Sequence, residues 1–413
     1  MADTSRGVYR ARRFGRRGTR RIRTRALDKV DHVLITRARQ ATFAFFVLNG
    51  FTLGMWVVHI PSIRERTDIS QSDLGYLLLL MGATALVGMQ LAGRLIDRLG
   101  SRTVTVGAGV LLCLTLLGPG FASTATGLAF GLGALGFANG VMDVSQNAHA
   151  VEVERLYGRP IMSSFHAFFS LGGLLASISG GSLIALDVPV GYSLTGAAFV
   201  GIVGTLIARP WLLKAEPTAK PVDTSAARAP WTARVVVLGL LAFALMLSEG
   251  VAYDWSTVHL HDSLGSSKTV AAWAFGAFSI AMTLVRLIAD KIVHRIGPAT
   301  YVRYAALVGA VGLACAAISP TVPLAIASWA LFGLGLAGCV PQFFSAAGNV
   351  NPSASGTYLA RVAGLGYLGL IAGPAIIGIL TNWVPLTTAF IVPIVGCLVS
   401  GLLAPSALRE DTR

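Results

Sequence analysis

Long apolar stretches alternate with short polar ones along this chain. Windows near twenty residues, almost free of charge, fall at 41–60, 74–93, 103–122, 126–149, 162–185 and 190–208. They resume at 233–254, 270–289, 301–319, 322–345, 360–381 and 386–405. About twenty helical residues cross a hydrocarbon core of roughly 30 Å, so the pattern predicts twelve membrane-spanning helices. Residues 210–231 are rich in Pro and Ala and lack helical periodicity, which predicts a linker between two six-helix halves. The fold class expected is therefore an all-α membrane protein. Its parts are a leader over 1–40, a half over 41–209, a linker over 210–231, a half over 232–406 and a tail over 407–413.

Polar side chains are costly inside a bilayer, so their positions carry information. Windows 3, 6, 9 and 12 hold no Asp, Glu, Lys, Arg, His, Asn or Gln in their interiors. Window 1 carries Asn49, Thr52, Trp56 and His59; window 4 carries Asn139, Asp143, Gln146 and Asn147. Segment 7 carries Glu249, Tyr253 and Ser256, and segment 10 carries Gln342, Ser345 and Asn349. Helical spacing makes each set a stripe on one face. Stripes on every third window predict a wet cavity between two pseudo-symmetric halves, with the all-apolar windows facing lipid or core. Two echoes support the repeat: Phe130-Gly131-Leu132-Gly133 recurs as Phe332-Gly333-Leu334-Gly335, and Asp97 and Asp290 close windows 2 and 8.

Composition strengthens the bilayer reading. Charged residues make up 13% of the 413, against about 25% in soluble domains, and mean hydropathy is +0.68. The net charge of +14 is unevenly placed, with 13 of the 33 basic residues in positions 1–40. With the N-terminus inside, 30 basic residues fall on the cytoplasmic side and only Arg64, Arg66 and Lys268 outside. This obeys the positive-inside rule and predicts a multi-pass bacterial inner-membrane protein with both termini cytoplasmic. The leader is expected to lack fixed structure and to meet anionic lipid rather than nucleic acid. All four cysteines lie in apolar runs without ligand spacing, so they are expected to pack rather than bind metal.

The loop after window 2 reads Gly93-Arg94-Leu95-Ile96-Asp97-Arg98-Leu99-Gly100-Ser101-Arg102. It resembles the signature loop of the major facilitator superfamily, G-x-L-x-D-R-x-G-x-[RK]. The resemblance implies a secondary transporter working by alternating access, with Arg94, Asp97 and Arg98 in an inner gate. Arg286 to Lys291 look like a degenerate second copy, which adds Asp290 to that gate. Two further stretches resemble the YbjJ-type inner-membrane proteins, distant relatives of the fucose permease. One runs from Asn139 through Asp143, Asn147, Glu152, Gly158-Arg159 and Ser164-Phe165-His166 to Gly172; the other is Pro341 to Gly348, followed by Gly373-Pro374. The acidic position of the fucose permease in window 1 falls near Val57, a departure that bears on sugar specificity.

No nucleotide-binding loop, metal motif or nucleophile triad is present in the sequence, so neither enzyme activity nor a cofactor is expected. Asp143, nine residues and so about 14 Å from Glu152, is the leading proton-coupling candidate. The others are Glu249, about 22 Å above Arg234 and so near the outer mouth, and His166, because histidine as a residue type titrates near neutrality. Candidate cavity residues are Asn49, Trp56, Asn139, Gln146, Asn147, Tyr253, Gln342 and Asn349. For each, interhelical packing is the plainer alternative. His59 is expected at a solvated rim, and Gly373-Pro374 as a packing kink. The expected function is proton-coupled transport of a small polar solute, such as a sugar or sugar acid, by a monomer. The alternatives are proton-antiport efflux of a drug or secondary metabolite and a non-transporting membrane sensor.

Overall fold

The computed structural model describes residues 15–158, 161–214, 230–350 and 355–409, without the side chains of 15–32 and 355–356. Arg159 and most of the linker lie outside the described residues. Twelve helices are long and apolar enough to cross a membrane. We number them as spans. In the first half they are span 1 (Val33–Thr67), span 2 (Gln71–Leu99), span 3 (Ser101–Phe121), span 4 (Ala125–Tyr157), span 5 (Met162–Ala185) and span 6 (Val190–Trp211). The second half holds span 7 (Ala233–Ser263), span 8 (Lys268–Ile296), span 9 (Pro298–Ala317), span 10 (Val322–Gly348), span 11 (Thr357–Leu380) and span 12 (Leu386–Ala407). Each predicted window lies largely within one span.

The helix of span 1 starts upstream, at Gly15. Residues 15–40 of the leader are thus helical rather than unstructured, and residues 1–14 lie outside the described residues. No Pro or Gly interrupts the chain between Gly18 and Gly50, and Arg, Ala and Leu are strong helix formers.

Glycines let the helix backbones touch, and they do so in the same way twice. A Cβ on Gly50 would lie 2.0 Å from the Phe169 carbonyl oxygen, and one on Gly172 would lie 2.2 Å from that of Val47. These two contacts join spans 1 and 5. Gly250 against the Leu370 carbonyl, at 2.4 Å, and Gly373 against that of Leu247, at 2.3 Å, join spans 7 and 11 likewise. The close approach accounts for Gly373, and the carbonyl of Pro374 accepts a 3.0 Å hydrogen bond from Trp255 Nε1.

Spans 2 and 8 fix the register of the repeat. Both are 29 residues long, both start at a serine N-cap (Ser70 and Ser267), and both end at a glycine of positive φ, Gly100 at 78° and Gly297 at 80°. The two spans therefore align 197 positions apart. Span 4 and span 10 keep that register, because Gly136 packs on the Met81 carbonyl as Gly333 packs on that of Phe278. Two sequence echoes are corrected by this. Asp97 corresponds to His294, and Asp290 to Gly93, so the second signature loop runs Asp290–Ala299. The shared Phe-Gly-Leu-Gly is likewise five residues out of structural register.

Across the halves, span 5 packs on span 8, span 2 on span 11, and span 1 on spans 7 and 8. Spans 3, 6, 9 and 12 pack chiefly within their own halves and expose large apolar side chains such as Phe121, Phe199, Ile318 and Leu402. Three of the four cysteines are buried and all are free. Among the described residues no cluster of His, Cys, Asp and Glu suits a metal ion.

Candidate functional site

Three carboxylates lie within the spans, where the two halves meet. Asp143 is half-buried, fourteen residues from the end of span 4. Asn147 Nδ2 donates to its carboxylate at 3.1 Å and to its backbone carbonyl at 2.8 Å. Tyr367 of span 11, from the other half, turns its hydroxyl to the same carboxylate. Asp254 of span 7 is also half-buried and faces Trp56 of span 1. The Trp56 indole nitrogen is buried and has no partner at bonding distance among the described residues. Asp143 and Asp254 take part in no ion pair among the described residues.

Glu249 is different. It lies sixteen residues from Ala233 and fourteen from Ser263, so it sits mid-span rather than near an outer mouth; the helix continues well past the apolar window. Arg286 Nη2 of span 8 pairs with its Oε1 at 2.9 Å, and the Tyr253 hydroxyl donates to that same oxygen at 3.3 Å. Arg286 Nη1 reaches across to span 5, donating to Ser170 Oγ at 2.8 Å and to the His166 carbonyl at 3.4 Å. Arg286 is therefore inside the bundle, not on a cytoplasmic loop. The His166 ring stacks edge-on against Phe46 at 5.4 Å; only its backbone carbonyl joins this node. Tyr253 is enclosed by Phe169, Phe275 and Phe278.

The remaining cavity candidates divide into two groups. Asn139 is half-buried, as is Gln342, whose Nε2 donates to the Gly338 carbonyl at 3.2 Å. That bond spans a break in span 10, where Gly338 has φ 75°. Asn49 and Gln146 are buried, each with its side-chain carbonyl oxygen lacking a hydrogen-bond partner among the described residues. Asn349 is exposed at the end of span 10, away from the others. His59 is fully buried, not solvated: its Nδ1 meets the Met55 carbonyl at 2.8 Å.

Ionic contacts join the halves at the end opposite to where the chain enters span 1 and leaves span 12. Asp262 of span 7 accepts from Arg64 Nη1 at 2.5 Å and from Gln71 Nε2 at 2.7 Å. Glu65 pairs with Lys268 and with His261 Nε2, the latter at 2.9 Å. Beneath this latch Gly75 and Gly378 bring spans 2 and 11 into backbone contact, since a Cβ on Gly75 would lie 2.7 Å from Gly378 Cα. At the terminal end Arg94, Asp97 and Arg98 are exposed and form no ion pair among the described residues. Asp290 accepts from Ser163 of the other half at 3.4 Å.

Sequence reasoning missed Asp254, Arg286 and the latch. Asp254 is the last residue of an apolar window whose helix continues to Ser263. Arg286 was masked by its place beside a degenerate loop. The latch residues are ordinary loop-proximal charges until both halves are assembled.

The fold and this polar layer define a polytopic membrane carrier rather than an enzyme. Its sequence matches the Major Facilitator Superfamily over residues 42–257 and 238–413, and the chain belongs to that family. It is 33% identical to an uncharacterized transporter, y4wD, of Sinorhizobium fredii, over 88% of this chain and 96% of that one. It is also 33% identical to an uncharacterized MFS-type transporter of Yersinia pestis, over 92% and 97% of the two chains. The D-xylose-proton symporter shares the fold, with a TM-score of 0.74 at 14% identity over 92% of this chain and 99% of the symporter.

Proposed function

We propose that this chain is a proton-coupled secondary transporter that moves a small polar solute, a sugar or sugar-like metabolite, by alternating access. The observation that carries the reading is Asp143, a half-buried carboxylate without a cation partner among the described residues, with Tyr367 approaching it from the opposite half. An unpaired carboxylate within a membrane protein is costly as an anion and marks ion or proton pathways. Protonation removes that cost and frees the halves to rock. Asp254, facing Trp56 across the same interface, is a second such group. Hydrogen-bonding capacity for a hydroxylated solute comes from Asn139 and Asn147, and from Asn49 and Gln146, whose carbonyl oxygens have no partner among the described residues.

The latched end faces outside in this reading, and the terminal end, with Arg94, Asp97, Arg98 and Asp290, faces the cytoplasm of a bacterial cell. The protein acts as a monomer in the inner membrane, and the basic leader meets anionic lipid. Reconstitution into liposomes with an internal pH dye tests the function. A sugar or polyol should drive proton movement with the wild type and fail to do so with Asp143→Asn. Proton movement undiminished in Asp143→Asn would remove Asp143 from the mechanism. Sidedness is read from single cysteines in intact cells: Asp187→Cys should react with an impermeant thiol reagent and Lys214→Cys should not.

A further inference from the structure

We propose that Arg286 binds the carboxylate of an anionic solute, a sugar acid or similar hydroxylated monocarboxylate, and that Glu249 occupies its place while the carrier is empty. This rests on the transport reading above and narrows its substrate class. The guanidinium is the only cation in an ion pair with a mid-span carboxylate among the described residues. Both side chains of the pair remain 14% exposed, so a small solute can reach them. Arg286 also spans the interface that must open: one arm holds Glu249 of its own half, the other holds Ser170 and the His166 carbonyl of span 5. A purely structural pair would not need its strongest donor spread over two bodies that move apart. Arginine presents a planar fork that matches a carboxylate with two parallel hydrogen bonds.

Charge conservation sets the order of events. Moving net charge into a low-dielectric interior is expensive, so the node should hold the same charge empty and loaded. Empty, it holds Arg286 and Glu249, and the charges cancel. Loaded, the solute carboxylate pairs with Arg286 and a proton from water resides on Glu249, and the charges again cancel. The Tyr253 hydroxyl, now donating to Glu249 Oε1, can turn to accept from the protonated acid. No covalent bond changes; one proton and one anion arrive together. A carboxylate solute is therefore carried with one proton more than a neutral polyol of the same length.

Gluconate and sorbitol test this, because they differ chiefly in having a carboxylate or a hydroxymethyl group at one end; glucuronate and glucose form a second pair. Binding to the full-length protein in detergent and proton flux in liposomes are both measured. In the wild type at least one carboxylate should bind about tenfold or more tightly than its neutral counterpart, with affinity falling as pH rises. Glu249→Gln, which mimics the protonated acid, should bind that carboxylate more tightly and lose the pH dependence. Arg286→Gln leaves Glu249 as an unpaired charge and can fail to fold, so the double variant Glu249→Gln/Arg286→Gln is the informative one. It should bind carboxylate and polyol equally. If neither carboxylate binds better than its neutral partner, or if the double variant keeps the preference, the proposal is overturned. Proton-coupled movement of sorbitol or glucose without any carboxylate preference would overturn it while leaving the transport reading intact. Absence of proton movement with all four solutes would count against both.

Discussion

The two ends of this bundle are built from similar residues and do different things. At one end Arg64, Glu65, Gln71, His261, Asp262 and Lys268 lock the halves together, and Gly75 and Gly378 touch beneath them. At the other, Arg94, Asp97 and Arg98 of the signature loop carry comparable charge and pair with nothing described. A charged residue at a helix end is therefore not a gate by composition. It becomes one only when its partner lies on the opposite half and the halves are close. In the proposed alternating-access cycle this difference would correspond to the phase closed at the latched end. Alternating access predicts that the pattern inverts in the other phase.

The largest effect that separates the two ends from the middle belongs to Asp143. If the ends only respond to protonation at mid-span, Asp143→Asn should abolish solute accumulation in proteoliposomes, yet preserve exchange of labelled for unlabelled solute. The amide keeps the shape and the hydrogen bond to Asn147 while fixing the neutral state. Loss of exchange as well would place Asp143 in solute binding or in the fold. Asp254→Asn should leave a smaller defect if it is the second group of the pathway.

Next comes a matched pair of glycines. Gly75→Ala drives a methyl group into the Gly378 backbone, where nothing flexible can yield, whereas a methyl group on Gly93 meets nothing within 4 Å. Thr257, whose hydroxyl bonds the Val57 carbonyl across the halves, reports on opening of the latched end once replaced by cysteine. In a background without the native cysteines, Gly75→Ala should speed labelling of Thr257→Cys by roughly tenfold or more, matching about 1–3 kcal/mol of overpacking strain. Gly93→Ala should leave the labelling rate unchanged. Equal rates would mean that the glycine contact does not set the closed state.

The latch itself should be weaker. Arg64 and Asp262 are partly buried, at 14% and 21% exposure, and one such pair contributes about 1 kcal/mol, or roughly a fivefold change in population. Asp262→Asn should raise Thr257→Cys labelling by about that factor, and the exchange Arg64→Asp/Asp262→Arg should restore part of it. No effect of either variant would make the pair a surface ornament.

Much of this architecture was legible before any helix was placed. Apolar windows and charge asymmetry report directly on solvent, because a bilayer penalises every exposed polar group alike, so the twelve spans and the two halves followed. The stripes on spans 1, 4, 7 and 10 located Asn139, Asp143, Asn147, Glu249 and Tyr253 near the interface for the same reason. Register was harder. Short motifs such as Phe-Gly-Leu-Gly repeat by chance in glycine-rich helices, whereas the Ser70/Ser267 caps and the Gly100/Gly297 turns are conformational and emerged only with φ values. Partners were hardest of all: that Glu249 is ion-paired, and Asp143 is not among the described residues, depends on Arg286, which reaches Glu249 from a different span.

The smallest expected effect lies at the unlocked end. Asp97 has no ionic partner among the described residues, so Asp97→Asn should not alter Thr257→Cys labelling of the resting protein, nor its yield in the membrane. In the proposed gate its charge acts when the terminal end closes, where an acidic group among Arg94, Arg98 and Lys291 would draw the two halves together. The variant should then lower turnover by a fewfold, because one surface pair lost in one phase is worth about 1 kcal/mol or less. The register found here adds a sharper form of the test. Position 294 of the second half holds histidine where the first half has Asp97, so the two loops are not interchangeable. His294→Asp should not rescue Asp97→Asn if the acid must sit on the first half, close to the basic end of span 8. Rescue would show that only net charge at the mouth counts. A normal turnover rate in Asp97→Ala would reduce the signature loop to a marker of topology, and the contrast between the two ends would then rest on the latch alone.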